Sequence, residues 1–118
     1  HLFDLVAPAI PTSLDGRVKA TTISLMWDPV TDTDLWGYHV YRTDHPFGTF
    51  EQINSSIVEG ISYYQDRGLA ENQKYYYKVS AVDLSGNVGA LSNPLEITTN
   101  PPAQTGWPLR GGWKWLRR

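Results

Sequence analysis

The 118-residue sequence contains no cysteine, which excludes disulfide bonds, thiolate metal ligands and a cysteine nucleophile. It has no apolar run near the ~20 residues that a membrane-spanning helix requires, so no membrane span is expected. A glycine-rich phosphate loop is also missing, and the three histidines, His1, His39 and His45, lack the context of a catalytic triad. The sequence therefore argues against an enzyme, and no cofactor or metal is expected.

Acidic residues are missing from the last part of the chain, which separates two regions of opposite charge. Residues 1–100 carry six basic and all twelve acidic side chains, a formal charge of −6. Residues 101–118 carry four basic side chains and three of the five tryptophans. The acidic body argues against nucleic-acid binding. The basic residues of this tail are Arg110, Lys114, Arg117 and Arg118, and its tryptophans are Trp107, Trp113 and Trp115.

Short segments of alternating apolar and polar residues, separated by turn residues, are abundant. This pattern is typical of strands with one buried face. Asp28-Pro29, residues 44–48 and residues 83–87 are predicted to be turns or loops. The sequence predicts an all-β fold, a seven-stranded antiparallel sandwich. The predicted strands are residues 12–14, which Asp15-Gly16 ends, 23–27, 37–42, 49–53, 61–65, 75–82 and 95–99.

An ordered set of motifs over about residues 8–99 resembles a fibronectin type III domain of the bacterial or archaeal extracellular type. The motifs include Ile23–Pro29, Gly37–Arg42 and Tyr75–Asp83, while Ala70-Glu71 replaces the proline usual after Leu69. The resemblance implies an immunoglobulin-like sandwich and a tyrosine corner formed by Leu69 and Tyr75. Residues 1–7 would be an N-terminal arm, and residues 100–118 a Pro/Gly/Trp-rich basic tail or a linker to a following domain. The expected core residues are Trp27, Tyr38, Val40, Leu69, Tyr75, Tyr77 and Val79.

Two polar motifs each allow a functional and a structural interpretation. Asp28, Asp32 and Asp34 could ligate Ca²⁺, or they could form Asx hydrogen bonds in a solvated turn. Asn54-Ser55-Ser56 is a glycosylation sequon, or simply a polar loop.

Strand alternation places several aromatic rings at the surface. Such rings can stack on sugars, but they can also pair across strands on an open sheet face. His39 is expected to point outward between the inward side chains of Tyr38 and Val40. The candidate surface rings are Trp36, Tyr41, Tyr63 or Tyr64, and Tyr76.

The two chain ends hold the predicted partner-binding residues. The resemblance suggests a non-catalytic module of a secreted or cell-surface protein, acting as a spacer or a protein-interaction unit. Alternatively, the chain is a self-assembling subunit of an extracellular filament or surface layer, or a carbohydrate-binding accessory module. Expected partners are a neighbouring domain, other copies of the chain or a polysaccharide. The candidates are Leu2, Phe3, Trp107, Trp113, Lys114, Trp115, Arg117 and Arg118.

Overall fold

Two antiparallel β-sheets, of three and four strands, form the part of the chain that the computed structural model describes, residues 6–101. This confirms the predicted all-β sandwich of seven strands. No helix in this range is long and apolar enough to cross a membrane. The strands are β1 (Thr12–Lys19), β2 (Thr22–Asp28), β3 (Leu35–Thr43), β4 (Glu51–Gln52), β5 (Tyr63–Asp66), β6 (Lys74–Asp83) and β7 (Leu95–Thr98).

The strand order places β1 and β7 at the edges of their sheets. The three-stranded sheet has the order β1-β2-β5, and the four-stranded sheet has the order β4-β3-β6-β7. The two edge strands approach closely at Gly16, where a Cβ atom would lie 3.0 Å from Cδ1 of Ile97 and 3.2 Å from Cδ2 of Leu95. The missing side chain at Gly16 therefore lets β1 pack against β7 and close one side of the sandwich.

Alternation along β2, β3 and β6 fills the space between the sheets. The inward residues of β6, from Tyr75 through Tyr77 and Val79 to Ala81, are buried. Tyr38 and Val40 of β3 face the same core, while Leu69 is half-buried at its margin. The outward residues His39 and Tyr41 are half-buried.

Trp27 occupies the core between the two sheets. Its ring contacts that of Tyr38 edge-to-face, with centroids 5.1 Å apart, a favoured geometry for aromatic pairs. The Tyr38 hydroxyl accepts a hydrogen bond of 2.8 Å from the Val30 amide, which anchors the loop after β2 to the core. Among residues 6–101, no group accepts a hydrogen bond from the buried Trp27 indole N–H, so burial of the ring outweighs the cost of that unpaired donor.

The tyrosine corner joins the loop before β6 to the core. The Ala70 amide donates a hydrogen bond of 2.9 Å to the Tyr75 hydroxyl. Proline is therefore not needed at position 70, and an amide there provides the donor.

Three strand predictions need correction. The first strand does not end at Asp15-Gly16; β1 continues to Lys19, and an irregularity between Thr12 and Asp15 lies at Ser13, whose φ is 60°. A bulge lets a strand absorb residues that otherwise signal a turn. The segment predicted as 49–53 is a strand only at Glu51–Gln52, and the segment predicted as 61–65 is a strand only from Tyr63 to Asp66.

Candidate functional site

All eight predicted partner-binding residues lie outside the described residues. They are Leu2, Phe3, Trp107, Trp113, Lys114, Trp115, Arg117 and Arg118. Their roles stay predictions.

The aspartates of the loop after β2 hold neighbouring segments in place. The Asp32 carboxylate accepts a hydrogen bond of 3.2 Å from the Ala9 amide, and the Asp34 carbonyl accepts one of 2.9 Å from the Leu84 amide. Between residues 6 and 101, no three His, Cys, Asp or Glu side chains come together in a way that could hold a metal ion. The described contacts therefore give Asp32 a structural role through its carboxylate and Asp34 one through its backbone carbonyl.

Asn54 of the sequon is a buried structural residue. It is 4% exposed, and its Oδ1 accepts a hydrogen bond of 2.8 Å from the Val40 amide. Its Nδ2 lies 3.3 Å from the Tyr38 carbonyl oxygen, 3.1 Å from that of Ser56 and 3.4 Å from Nδ1 of His39. Attachment of a sugar would break these contacts, so the sequon does not mark an accessible glycosylation site in the folded domain.

The exposed aromatic rings do not form one stacking platform. Trp36 is 41% exposed on β3 of the four-stranded sheet, and Tyr63 is 38% exposed on β5 of the three-stranded sheet. These rings lie on different sheets. Tyr41, Tyr64 and Tyr76 are half-buried; the Tyr41 hydroxyl is 3.2 Å from Oγ of Ser80, and the Tyr64 hydroxyl donates to the Ile53 carbonyl at 3.4 Å.

A polar cluster of the half-buried Arg42 with the buried Asp66 and Tyr77 joins the two sheets. The Arg42 guanidinium donates to both carboxylate oxygens of Asp66, at 3.0 and 2.8 Å. The Tyr77 hydroxyl donates to Oδ2 of Asp66 at 2.6 Å. Burial, and then the hydrogen bond to Asp66, raise the pKa of Tyr77 well above its ordinary value. The cluster therefore ties β3 and β6 to β5 through one carboxylate.

This cluster is a structural site that the sequence analysis missed. The available signal was the alternation in β3, which places Arg42 on the same face as Tyr38 and Val40. A guanidinium on the inward face of a strand favours an acidic partner, because an unpaired charge becomes more unfavourable as it loses contact with water. Nothing in the sequence identifies Asp66 as that partner, since the contact depends on how the two sheets pack.

The chain enters and leaves the sandwich at opposite ends. At the N-terminal end, Thr12 pairs with Asp28 at the close of β2. At the C-terminal end, the Asn100 amide donates to the Ala20 carbonyl at 3.1 Å, and the Asn72 amide donates to the Asn100 carbonyl at 2.9 Å. Eight residues of β1 span about 26 Å between these ends.

Exposed aliphatic side chains concentrate along one side of the N-terminal end. Residues 88–92 run beside β6, held by a bridge between Val82 and Val88 and by the hydrogen bond of 2.9 Å from the Gly89 amide to the Ala81 carbonyl. The N-terminal segment lies against them, since a Cβ at Gly89 would come within 2.6 Å of the Pro8 oxygen. We call the exposed residues the apolar strip; it consists of Ile10, Leu84, Val88 and Leu91.

Two surface depressions adjoin this end of the domain. One, of about 460 Å³, is lined on one side by residues 10–14, which include Ile10, and on the other by residues 91–94, which include Leu91. The other, of about 480 Å³, lies beside Ile61 and is lined mainly by apolar groups, including Pro29 and Leu35. Neither depression is lined by a charged side chain, so both suit apolar contacts better than catalysis.

Comparisons with known proteins point to a single family. The model of the family described as "Fibronectin type III domain" matches residues 9–98. Exoglucanase B of Cellulomonas fimi is 37% identical over 107 residues, which cover 87% of this chain but 9% of that enzyme. Chitinase Chi52 of Paenibacillus xylanexedens is 30% identical over 96% of this chain and 20% of its own length. The chain thus spans at most a fifth of these curated relatives.

Solved structures agree with this match. An Fn3-like protein from Clostridium thermocellum superposes with a TM-score of 0.64 at 30% identity, covering 83% of this chain and 97% of that one. The fibronectin type III domain of human fibronectin type III domain containing protein 3 superposes with a TM-score of 0.68 at 23% identity, covering 92% and 97%. The second likeness shows the shared fold alone. Sequence, family model and fold therefore lead to one assignment: the chain belongs to the fibronectin type III family.

Proposed function

We propose that the chain is a non-catalytic accessory module of a secreted polysaccharide-degrading enzyme, in which it acts as a spacer between domains. The observation that carries this proposal is the position of the two ends. The chain enters beside Thr12 and leaves beside Asn100, about 26 Å away along β1. A module of this form separates whatever precedes it from whatever follows it.

The relatives support the context of this role. Matches to an exoglucanase, an alpha-amylase and a chitinase cover 9%, 7% and 20% of those proteins, so the matching segment is a small part of each. By their names, the curated relatives are enzymes that act on polysaccharides. This context favours an extracellular location for this chain. Fold alone does not determine such a role, so the argument depends on the geometry together with this domain context.

Contacts between the two sheets support a stiff spacer. The cluster of Arg42, Asp66 and Tyr77 joins the sheets, and the Gly16 contact seals one side of the sandwich. A flexible glycine-serine linker, by contrast, has no preferred end-to-end distance. Replacing the domain with such a linker should therefore abolish the fixed separation.

A domain exchange tests the spacer role. In exoglucanase B of Cellulomonas fimi, the matching segment would be replaced by this chain or by a glycine-serine linker of equal length. Hydrolysis of an insoluble glucan would be measured relative to a soluble one. We expect this chain to preserve the ratio of the two rates and the linker to lower it severalfold. Equal ratios for both exchanges would contradict the spacer role.

Sedimentation with insoluble glucan distinguishes a spacer from a carbohydrate-binding module. We expect the isolated chain to remain in the supernatant, because the exposed rings on the described strands, Trp36 and Tyr63, lie on different sheets. Depletion from the supernatant that Trp36→Ala or Tyr63→Ala abolishes would assign the module to carbohydrate binding instead. Phe47→Ala, which removes an exposed ring in the turn after β3, is the matched control.

A further inference from the structure

The apolar strip is a surface that the spacer role does not use. Its four side chains, Ile10, Leu84, Val88 and Leu91, are each between 42% and 66% exposed. Ile10 and Leu91 line the same depression, and Val88 precedes Gly89, which packs against Pro8. Exposed aliphatic residues that cluster in this way typically mark an interaction surface in a stable domain. The hydrogen bonds from Ala9 to Asp32 and from Leu84 to Asp34 fix the segments that carry the strip.

The surroundings of the strip carry charge of one sign. The segments that form this end are residues 6–16, 28–36 and 79–95, and they contain no lysine, arginine or histidine. They do contain five aspartates, of which Asp83 is buried and caps its own loop through the amides of Ser85 and Asn87. The aspartates are Asp15, Asp28, Asp32, Asp34 and Asp83. An apolar strip with acidic surroundings fits a partner segment that is both aromatic and basic.

The chain itself contains a segment with that chemistry. Residues 102–118 carry Trp107, Trp113 and Trp115, four basic side chains and no acidic one. Tryptophan and arginine are the residues that most often anchor protein interfaces. The formal charge of this segment is +4, against −6 for residues 1–100.

The positions of the two chain ends favour binding of this segment to the strip of a second molecule over binding to the strip of its own molecule. Residue 101 follows Asn100, which is bound at the C-terminal end, whereas the strip lies at the N-terminal end. Binding within one molecule would require the segment to turn back along the ~26 Å of the domain. Two domains stacked end to end place the C-terminal end of one beside the strip of the next.

We propose that the apolar strip binds the tryptophan-rich basic segment, residues 102–118, of a second copy of this chain. The contact is head-to-tail, because it joins two different surfaces rather than one surface to itself. Such contacts close into a ring where the rotation between copies permits it, and otherwise propagate into linear chains of domains. This inference does not depend on the spacer role, because it concerns association between copies of the isolated chain.

Light scattering and sedimentation velocity of the full chain test the proposal. We expect the weight-average mass to rise with concentration, to at least about twice that of the monomer. We expect two double variants to stay monomeric, Trp113→Ser/Trp115→Ser and Leu84→Ser/Leu91→Ser. The control variant Phe47→Ser should assemble like the wild type. Raising the salt concentration to ~1 M should weaken the assembly, because it shortens the screening length to ~3 Å.

The alternative occupants give different results. A wild-type chain that stays monomeric at every concentration would overturn the proposal. A monomer whose melting temperature falls in both double variants would indicate that the segment binds its own domain, which also overturns it. Loss of assembly in Phe47→Ser would show non-specific association. Leu84, Leu91 and Phe47 are exposed, and circular dichroism can verify that every variant is folded.

Discussion

Tyr77→Phe removes one hydroxyl from the cluster that joins the sheets. The Tyr77 side chain is fully buried, so water cannot replace its hydrogen bond to Asp66. The distance of 2.6 Å is typical of a hydroxyl donating to a carboxylate, and such charge-assisted bonds contribute about 1.5–3 kcal/mol. We expect the free energy of unfolding to fall by about 2 kcal/mol, which lowers the melting temperature of a domain this size by ~8–16 °C.

Chemical denaturation of matched variants measures this effect. Tyr41→Phe is the control, since the Tyr41 hydroxyl makes a bond of 3.2 Å to the neutral Ser80 hydroxyl and should cost about 0.5–1 kcal/mol. In an Asp66→Asn background, Tyr77→Phe should cost clearly less than in the wild type, because the charged acceptor is gone. The reasoning would be refuted if both tyrosine variants lost the same small amount.

Alkaline pH gives a second measurement of the same bond. Burial and the hydrogen bond to Asp66 raise the pKa of Tyr77, so the folded state holds this proton more tightly than the unfolded state. Stability is therefore complete below the ordinary tyrosine pKa of about 10 and decreases as the pH rises above it. In Tyr77→Phe, the free energy of unfolding should therefore decrease less steeply above pH 10 than in the wild type. An unchanged slope above pH 10 would contradict the assignment.

Three further predictions concern Trp27, Asn54 and His39. Trp27→Ala should destabilise the domain by about 3–5 kcal/mol in urea unfolding, and Trp27→Phe by much less, because the indole N–H has no partner to lose. Asn54→Ala should cost about 2–3 kcal/mol, since it leaves the Val40 amide and the Tyr38 carbonyl without that partner; a near-neutral result in the same assay would show that the loop relaxes. Burial lowers the pKa of His39, so stability should decrease as the pH falls below about 6.5, and His39→Gln should flatten that part of the stability profile; identical profiles would exclude His39 as the cause.

The fold could be predicted from local patterns because the strands are strongly alternating. Residues 75–82 and 37–42 read as strands with one buried face, and the structure extends them only slightly, to β6 and β3. The errors occur where tertiary contacts override local signals. Asp15-Gly16 has the composition of a turn, but Gly16 remains in β1, where a side chain would crowd Leu95 and Ile97 of β7. Such a contact joins residues about 80 positions apart, so no local window contains it.

The site was less predictable than the fold for the same physical reason. Sequence reasoning identified Asn54 by its sequon, but its role depends on the Val40 and Tyr38 backbone groups of a neighbouring strand. The aspartates after β2 have the composition of a calcium loop, yet the Asp32 carboxylate binds the Ala9 amide. In both cases the residue type was noticed and its partner was not, because partners are determined by packing between distant segments.

The separation of the two ends also determines how the domain carries tension. The β1 strand runs from the N-terminal end to the C-terminal end, and its pairing with β2 extends from Thr12–Asp28 to Lys19–Thr22. A pull on the two ends acts along β1, so the β1–β2 hydrogen bonds bear the load in shear together rather than opening one after another. Extending single molecules by their ends should give one abrupt force peak, and gradual lengthening would contradict this geometry. A module of this kind would keep two domains apart even while one is held on an insoluble substrate and the other is drawn away by flow.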